Sequence, residues 1–467
     1  MHKLSDIILN IDILEIKGNT DIEISSIYLN SNLVKEGGLF VAVVGNVVDG
    51  HNYITQAIEN GAKAIIYEND LNDYKEGIVY LKVNDSHDAV ARVAVSFYDN
   101  PSSRLKLVGT TGTNGKTTIT TLLYQLFTKL GYKVGMIGTT GTIIGTEKIE
   151  GVRTTPDAIS LNMILAEMVE KGCEYCFMEV SSHSVCEKRI VGIDFKGGVF
   201  TNLTHDHLDY HGTLENYKDA KKGFFDMLPL DSFALVNIDD QSGYYMLTET
   251  QAKKYTYSLK EEADFTEHLE TRLIGEFNMY NTLAVYATAV LLNEDRGRVR
   301  EIMKELLPAE GRFDYFKNKN NITAIVDYAH SPDAIKNVLD TINKLRGGNK
   351  NKIITVVGAG GDRDRLKRPI MAGIGYAFSD ILILTSDNPR SESPESIIDD
   401  MKKGIETLPQ DKVHVFVDRH QAISNACSFA EEGDYVVVLG KGHEKYQEVK
   451  GVQTHFDDME ELKKHLL

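Results

Sequence analysis

A short apolar run, Leu105 to Gly109, leads into the glycine- and threonine-rich turn Thr110-Thr-Gly-Thr-Asn-Gly115; Thr117 to Leu130 then carries apolar residues at helical spacing. Strand, tight loop and helix in that order constrain the chain more than any other feature. Gly112 and Gly115 let backbone N–H groups curl around an anion, and the helix start adds its positive dipole end. Lys116 can reach the outer phosphates, and Thr117 offers a hydroxyl to Mg²⁺. A nucleoside triphosphate fits that cradle. The general phosphate-loop pattern asks for a glycine where this chain has Thr110. A plain glycine/threonine turn is therefore the alternative, and Lys-Thr-Thr at the helix start weighs against it.

With 467 residues, two or three separate cores are expected. Acidic residues outnumber basic ones, 68 to 51, for a net charge of −17, which argues against nucleic-acid or membrane-surface partners. No apolar run is long enough to span a bilayer, and Met1-His-Lys-Leu-Ser-Asp6 meets charge too early for a signal peptide, so a cytoplasmic protein is expected. The 4 cysteines make no disulfide framework, and Cys173-x-x-Cys176 lacks the second pair that a zinc site would want.

In chain order, residues 1 to 103 alternate strand-like runs (Leu39 to Val44, Ala64 to Tyr67, Ile78 to Val83) with helical ones (Asn52 to Asn60, Ser86 to Tyr98), which predicts a small α/β domain closed by the turn-rich Asp99 to Ser103. From 104 to 309 strands alternate with helices, giving a largely parallel sheet covered on both faces. Glu179 ends one of its apolar strands, Tyr175 to Val180, where it is either a second contact for magnesium or a solvated strand end. Pro308 to Gly311 is a second seam; beyond it, 310 to 467 form another β-α series without the glycine pattern of a nicotinamide site. The fold class is thus α/β in three domains.

The densest polar cluster is Thr201 to His211, with three histidines and two aspartates between His205 and His211. A metallo-hydrolase is one reading, but Tyr210 separates Asp209 from His211 and breaks its adjacent Asp-His pair. With a nucleotide loop upstream, a place for His207 beside Mg²⁺ is the better reading.

Taken together, Gly112-Thr-Asn-Gly-Lys-Thr-Thr118, Glu179-Val-Ser-Ser-His183, Thr201 to Gly212, Ala220-Lys221, Phe277 to Asn281, Gly311-Arg-Phe313, Asp327 to Pro332, Gly360 to Asp364, Asp387-Asn-Pro-Arg390 and Gly440 to Glu444 resemble the Mur ligase family, in family order across nearly the whole chain. Within it the chain is most similar to the branch adding the third peptide residue. The resemblance implies a first domain gripping a UDP-sugar, a central phosphate-loop ATPase domain and a C-terminal Rossmann-like domain receiving the amino acid. The implied reaction joins meso-2,6-diaminopimelate to UDP-N-acetylmuramoyl-L-alanyl-D-glutamate in peptidoglycan synthesis. ATP is the co-substrate, Mg²⁺ the metal, an acyl phosphate the intermediate, and a monomer acting on small molecules the expected form.

By motif position the resemblance assigns Gly112, Thr113, Asn114, Gly115, Lys116, Thr117, Thr118, Asn278, Asn281, Arg312 and Asp327 to ATP. Thr117, Glu179, His207 and Lys221 serve the metal, and Lys116, His207 and Lys221 the catalysis. Lys221 matches a lysine that relatives carry as a carbamate (N6-carboxylysine), whereas the residues alone read it as a helix-surface lysine. Ser31, Thr154, Thr155, Ser181, Glu187 and Arg189 are assigned to the UDP-sugar dipeptide, and Arg363, Asp387, Asn388, Arg390, Gly440 and Glu444 to diaminopimelate. Arg390 would take the distal carboxylate of diaminopimelate as a bidentate pair, with Arg363 meeting a carboxylate and Glu444 an ammonium.

Two positions depart from the family pattern. Leu29-Asn-Ser-Asn-Leu33 lacks the usual arginine, and Glu187 stands where glutamine is usual. Both leave room for two alternatives, a paralogous amide ligase for another amino acid or acceptor and a catalytically silent nucleotide-binding regulator.

Overall fold

The computed structural model describes residues 1–45, 48–149, 151 and 153–467, without the side chain of Asp209, the aspartate of the histidine cluster. Three large sheets follow one another along the chain. The first has five strands in the order Ile13–Lys17, Val79–Val83, Ala62–Tyr67, Gly38–Val41, Ile27–Tyr28, antiparallel only at its first pair. The central sheet has eight: Glu147–Ile149, Gly141–Ile144, Val134–Gly138, Tyr175–Glu179, Lys106–Thr111, Gly197–Phe200, Phe233–Asn237 and Lys253–Tyr257. Its Gly141–Ile144 and Glu147–Ile149 strands form an antiparallel hairpin at one edge; the rest run parallel. The third has six, Asp314–Lys317, Thr323–Asp327, Tyr435–Leu439, Ile353–Ala359, Ile381–Ser386 and Val413–Phe416, of which only the first is antiparallel to its neighbour.

The strands form where β-branched and aromatic residues run together, and the helices start where a side chain can satisfy free N–H groups. Asp157 accepts from Ile159 and Ser160 N at the start of Ala158–Glu170, and Ser331 caps Pro332–Arg346 with proline at the first turn. Helix Lys116–Leu130 ends at Gly131, whose φ of 103° suits a residue without a Cβ. Apolar clusters lie on both faces of the central and third sheets, as parallel strands require.

Parallel order carries the loops that follow the strands to one edge. Glu179 is registered opposite Thr110, so the last residue of one strand stands beside the entry to the glycine loop. In the third sheet the neighbouring strands end at Asp327, Leu439, Ala359 and Ser386, which brings Asp327, Gly440, Gly360 and Asp387 to a single edge. Among the described residues no helix is long and apolar enough to cross a membrane. Cys173 and Cys176 are buried in the central core, where burial pushes the Cys176 thiol far up, so the pair has the chemistry of packing rather than of metal binding.

Candidate active site

The loop after Lys106–Thr111 turns at Gly112 (φ 144°) and Gly115 (φ 92°). Both need the absence of a side chain: a Cβ on Gly112 would lie 1.8 Å from Thr201 Oγ1, and one on Gly115 2.5 Å from Asn281 Oδ1. A second loop, starting at Thr201, is bound against the first. Thr113 N donates to Asn202 O (2.8 Å), Asn114 N to Asn202 Oδ1 (3.0 Å), Thr201 Oγ1 to Asn114 O (2.6 Å) and Thr204 N to Thr113 Oγ1 (2.9 Å). The two loops therefore move as one piece.

Two lysines converge on that piece, Lys221 buried and Lys116 partly so. Lys116 Nζ donates to Gly112 O and Thr113 O, both at 2.9 Å, and Lys221 Nζ donates to the same Gly112 O at 2.8 Å. Burial lowers both amines, and the Lys116 charge lowers Lys221 further, holding it well below the ordinary lysine range. Lys221 Nζ also lies 4.3 Å from the Tyr217 ring centre. The reading of Lys221 as a surface lysine fails here, since its helix, Leu214–Asp226, turns that face inward.

Glu179 is buried, accepting from Thr139 N (2.8 Å) and Thr139 Oγ1 (3.1 Å), so it is not a solvated strand end. Thr155 Oγ1 donates to Glu179 O (2.9 Å) and accepts from Ser181 N (3.1 Å), which draws Thr154, Thr155 and Ser181 to one wall. His207 adopts φ 54° at the mouth; the surrounding cavity wall lowers its pKa to about 4 against the pull of Asp206, helped by Lys116, His183 and Lys221. His211 is buried with Nε2 2.9 Å from Ser182 Oγ, while His205 is exposed. Among the described side chains the histidines of this cluster do not bring three ligand atoms together, as a hydrolase centre would require.

Arg312 reaches in from the third unit. Its Nη2 donates to Thr117 Oγ1 at 3.0 Å, and the guanidinium sits 4.4 Å from the Tyr328 ring centre. Asp327 accepts from Phe313 N (2.6 Å) and Ala329 N (2.7 Å), which aims Arg312; burial raises its pKa. A cavity of about 360 Å³ lined by Thr118, Asn281, Arg312 and Asp327 opens on this side. Asn278 does not line it: its amide donates to Ile274 O (2.8 Å), and its Oδ1 accepts from Asn281 (3.1 Å).

On the other side of the loop, a cavity of about 730 Å³ takes in Lys116, Thr117, Glu179, His207 and Lys221. It shares Arg363, Arg390 and Glu444 with a cavity of about 750 Å³ that also reaches Asp387, Asn388 and Gly440. There Asn388 Nδ2 donates to Glu444 Oε2 (2.7 Å), and the buried Lys441 donates to Asn388 Oδ1 (3.0 Å). Burial raises the Glu444 carboxyl, Asp387 raises it further, and Lys441 opposes. Gly440 has φ 114° and admits Asp387, whose Oδ2 a Cβ would meet at 2.4 Å. Arg390 has φ 51° and donates through Nη1 to Gly361 O (2.7 Å). Among the residues lining these cavities, His207 and Arg390 hold positive φ, a backbone conformation that costs energy for a side chain of that size.

A fourth cavity, about 500 Å³, lies against the first sheet and joins the 730 Å³ one at Arg153 and Arg189. Ser31 lines it with its hydroxyl bonded to Gln56 Oε1 (2.8 Å). Glu187 pairs with Arg189 through Nε (2.9 Å) and Nη2 (2.5 Å), and Arg189 Nη1 donates to Thr155 O (2.8 Å). Arg153, Tyr328, His330 and Lys441 also line or brace these cavities, and sequence reasoning gave none of them a role. Tyr328, His330 and Lys441 lie inside motifs already quoted and Arg153 adjoins Thr154, but only the folded loops bring their side chains to the cavities.

A phosphate loop beside a buried carboxylate and a charged cavity that can hold an acceptor define an enzyme that spends a nucleotide to activate a second substrate. The Mur ligase family description for the catalytic domain matches residues 23–104, that for the middle domain 110–289, and that for the glutamate ligase domain 311–442. The chain is 50% identical to the UDP-N-acetylmuramoyl-L-alanyl-D-glutamate--2,6-diaminopimelate ligase of Cytophaga hutchinsonii over 98% of this chain and 97% of that one. It is also 50% identical to the protein of that name from Bacteroides fragilis, over 99% and 98%. A solved structure of a ligase with this name superposes with a TM-score of 0.69 at 31% identity, covering 100% of this chain and 98% of the other. The chain belongs to the Mur ligase family.

Proposed function

We propose that the chain is an ATP-dependent acid–amino-acid ligase that adds meso-2,6-diaminopimelate to UDP-N-acetylmuramoyl-L-alanyl-D-glutamate in peptidoglycan synthesis. The observation that carries this reading is the joining of four cavities around one phosphate loop, with Arg363, Arg390 and Glu444 lining the far end. Residues 1–103 hold the UDP-sugar, 104–309 ATP, and 310–467 the amino acid. Relatives at half identity carry the name of that activity.

The acceptor's γ-carboxylate oxygen attacks the terminal phosphorus of ATP, the bond to ADP breaks, and an acyl phosphate forms. Lys116 leaves the carbonyls of Gly112 and Thr113 for the phosphates, whose charge repays the burial of its own. Arg312, already at Thr117, follows the same charge. The amine of diaminopimelate then attacks the acyl carbon, loses a proton to solvent, and the tetrahedral species expels phosphate. Arg390 and Arg363 fix the distal carboxylate and Glu444 the neighbouring ammonium, so that one amine is presented.

Thr117, Glu179 and His207 bring a hydroxyl, a carboxylate and an imidazole to one cavity, a set that suits Mg²⁺ when phosphate oxygens and water complete it. Bound there, Mg²⁺ supplies neutralisation of the charge on the transferring phosphoryl group. Lys221 in its protonated form can only donate. Its depressed pKa leaves the lone pair free to attack CO₂, forming a carbamate with loss of a proton, and the anion then fits the metal. The working form we assign is a cytoplasmic monomer.

Phosphate release from Mg-ATP and the UDP-sugar dipeptide, with diaminopimelate, L-lysine or no amino acid, tests the reading when products are weighed by mass spectrometry. Turnover with diaminopimelate alone is expected. Arg390→Ala should lower kcat/KM for diaminopimelate by about 30- to 1000-fold, the worth of a charged pair, while acyl-phosphate formation persists. Turnover with lysine, or unchanged diaminopimelate kinetics in the variant, overturns the amino-acid assignment.

A further inference from the structure

Remote from the cavities, helices Arg419–Phe429 and Asp458–Leu466 pack against each other. Arg419 and Asp458, both fully buried, clamp them with two 2.7 Å hydrogen bonds. Each helix then presents ligands at a fixed place: His420 follows Arg419, and Glu461 and His465 lie one turn apart on the facing helix. His420 Nδ1 contacts Glu461 Oε2, and His465 Nε2 lies 3.7 Å from that same oxygen. The His465 nitrogen is buried and makes no hydrogen bond. The three ligand atoms lie within 4.8 Å of one another, and the two imidazole centroids are 5.5 Å apart.

We propose that His420, Glu461 and His465 form a binding site for a divalent cation of the zinc class, distinct from the magnesium chemistry of the ligase. Two imidazoles and one carboxylate suit Zn²⁺ or Co²⁺, whereas Mg²⁺ prefers oxygen ligands and keeps its waters. Metal–ligand bonds near 2.1 Å require ligand atoms about 3.3 Å apart, so small side-chain rotations complete the shell. The His420 side chain is 42% exposed, which leaves room for water in the remaining position. The cation ties the C-terminal helix to its neighbour, replacing a single hydrogen bond with three bonds to one centre.

Titration of the full-length protein with Co²⁺ alone, in excess Mg²⁺, reads the site through visible d–d absorption. One equivalent of tetrahedral or five-coordinate Co²⁺ displaced by Zn²⁺ is expected, with affinity falling at least about 10-fold in His465→Asn and in His420→Asn. Glu461→Gln, which keeps the shape of the helix pair, should fall likewise. Zn²⁺ should also slow hydrogen exchange across residues 458–467 in the unmodified protein and in none of the variants. Binding unchanged by these substitutions, or exchange in that helix unaffected by Zn²⁺, overturns the proposal.

Discussion

Lys221 shows how one residue's environment decides its chemistry. An unfolded chain holds its proton at the ordinary lysine value, about 10.4, while burial and the Lys116 charge lower the folded value. The folded state therefore loses stability as pH falls below the ordinary value, and regains it as pH rises. Lys221→Met should raise the unfolding midpoint near pH 7 in CO₂-free buffer by a few degrees, with the gain vanishing toward pH 10. Lys116 remains to satisfy Gly112 O. Ligase turnover should drop at least about 100-fold, and bicarbonate should stabilise only the unmodified protein. An unchanged melting curve at both pH values would contradict the buried-amine account. Glu187 makes a second residue-scale case. Its carboxylate occupies Arg189 Nε and Nη2 at the wall between two cavities. Glu187→Gln should release that charge and lower KM for the UDP-sugar dipeptide by about 3- to 10-fold at constant kcat, measured by steady-state kinetics. The sequence marked Glu187 as a departure and Arg189 as a contact, but not that the one would hold the other. That pairing depends on a turn at Lys188 with φ 52°.

At the scale of elements, the glycine loop works because the loop from Thr201 is packed on it. Gly112→Ala would drive a Cβ into Thr201 Oγ1, a backbone-anchored side chain, at a φ that alanine rarely adopts. The loops must separate, so ATP affinity should fall at least about 100-fold, or 2.7 kcal/mol, by equilibrium titration. The chain should stay folded, since the strands below are undisturbed. The loop was legible from its residues, but its strand was read as ending at Gly109 and runs to Thr111. Thr110 and Thr111 look like turn residues and are in fact buried, β-branched strand residues. What escaped the reading was mostly edge structure. Ile13–Lys17, Glu147–Ile149 and Lys253–Tyr257 are edge strands, where exposed faces blur the apolar pattern, while Gly141–Ile144 is mostly buried but short and bounded by Gly141 and Gly145. The central strand Tyr175–Glu179, buried along its whole length, matches the expected Tyr175 to Val180 nearly to the residue.

Across the whole molecule each joint between units combines apolar packing with polar contacts. The first unit meets the central one through helices Ser86–Phe97 and Ala158–Glu170, with Ile159 packed on the first core and Val95 on the central one. The third unit reaches the central one through Ile274 and Phe277, which pack on its core with Phe277 beside Phe313, and through polar contacts: Arg312 to Thr117, and Lys148 to Glu310, which also holds Lys445 at 2.8 Å. Apolar packing resists sliding, whereas charged contacts exchange readily with water or with a ligand. Motion during turnover should therefore exchange the polar contacts of the third unit while the Phe277 contact stays packed, with nucleotide phosphates taking the place of Thr117 as the partner of Arg312. Arg312→Met tests this, since it keeps a long unbranched side chain beside Tyr328 and removes the charge. It should raise KM for ATP at least about 10-fold and abolish the compaction that a non-hydrolysable ATP analogue produces in X-ray scattering. Affinity for the UDP-sugar dipeptide should change little, because the cavity proposed for its nucleotide end lies against the first unit and is not lined by Arg312. Equal compaction with and without the guanidinium would mean that closure is driven elsewhere, and the Glu310 contacts would be the next to remove.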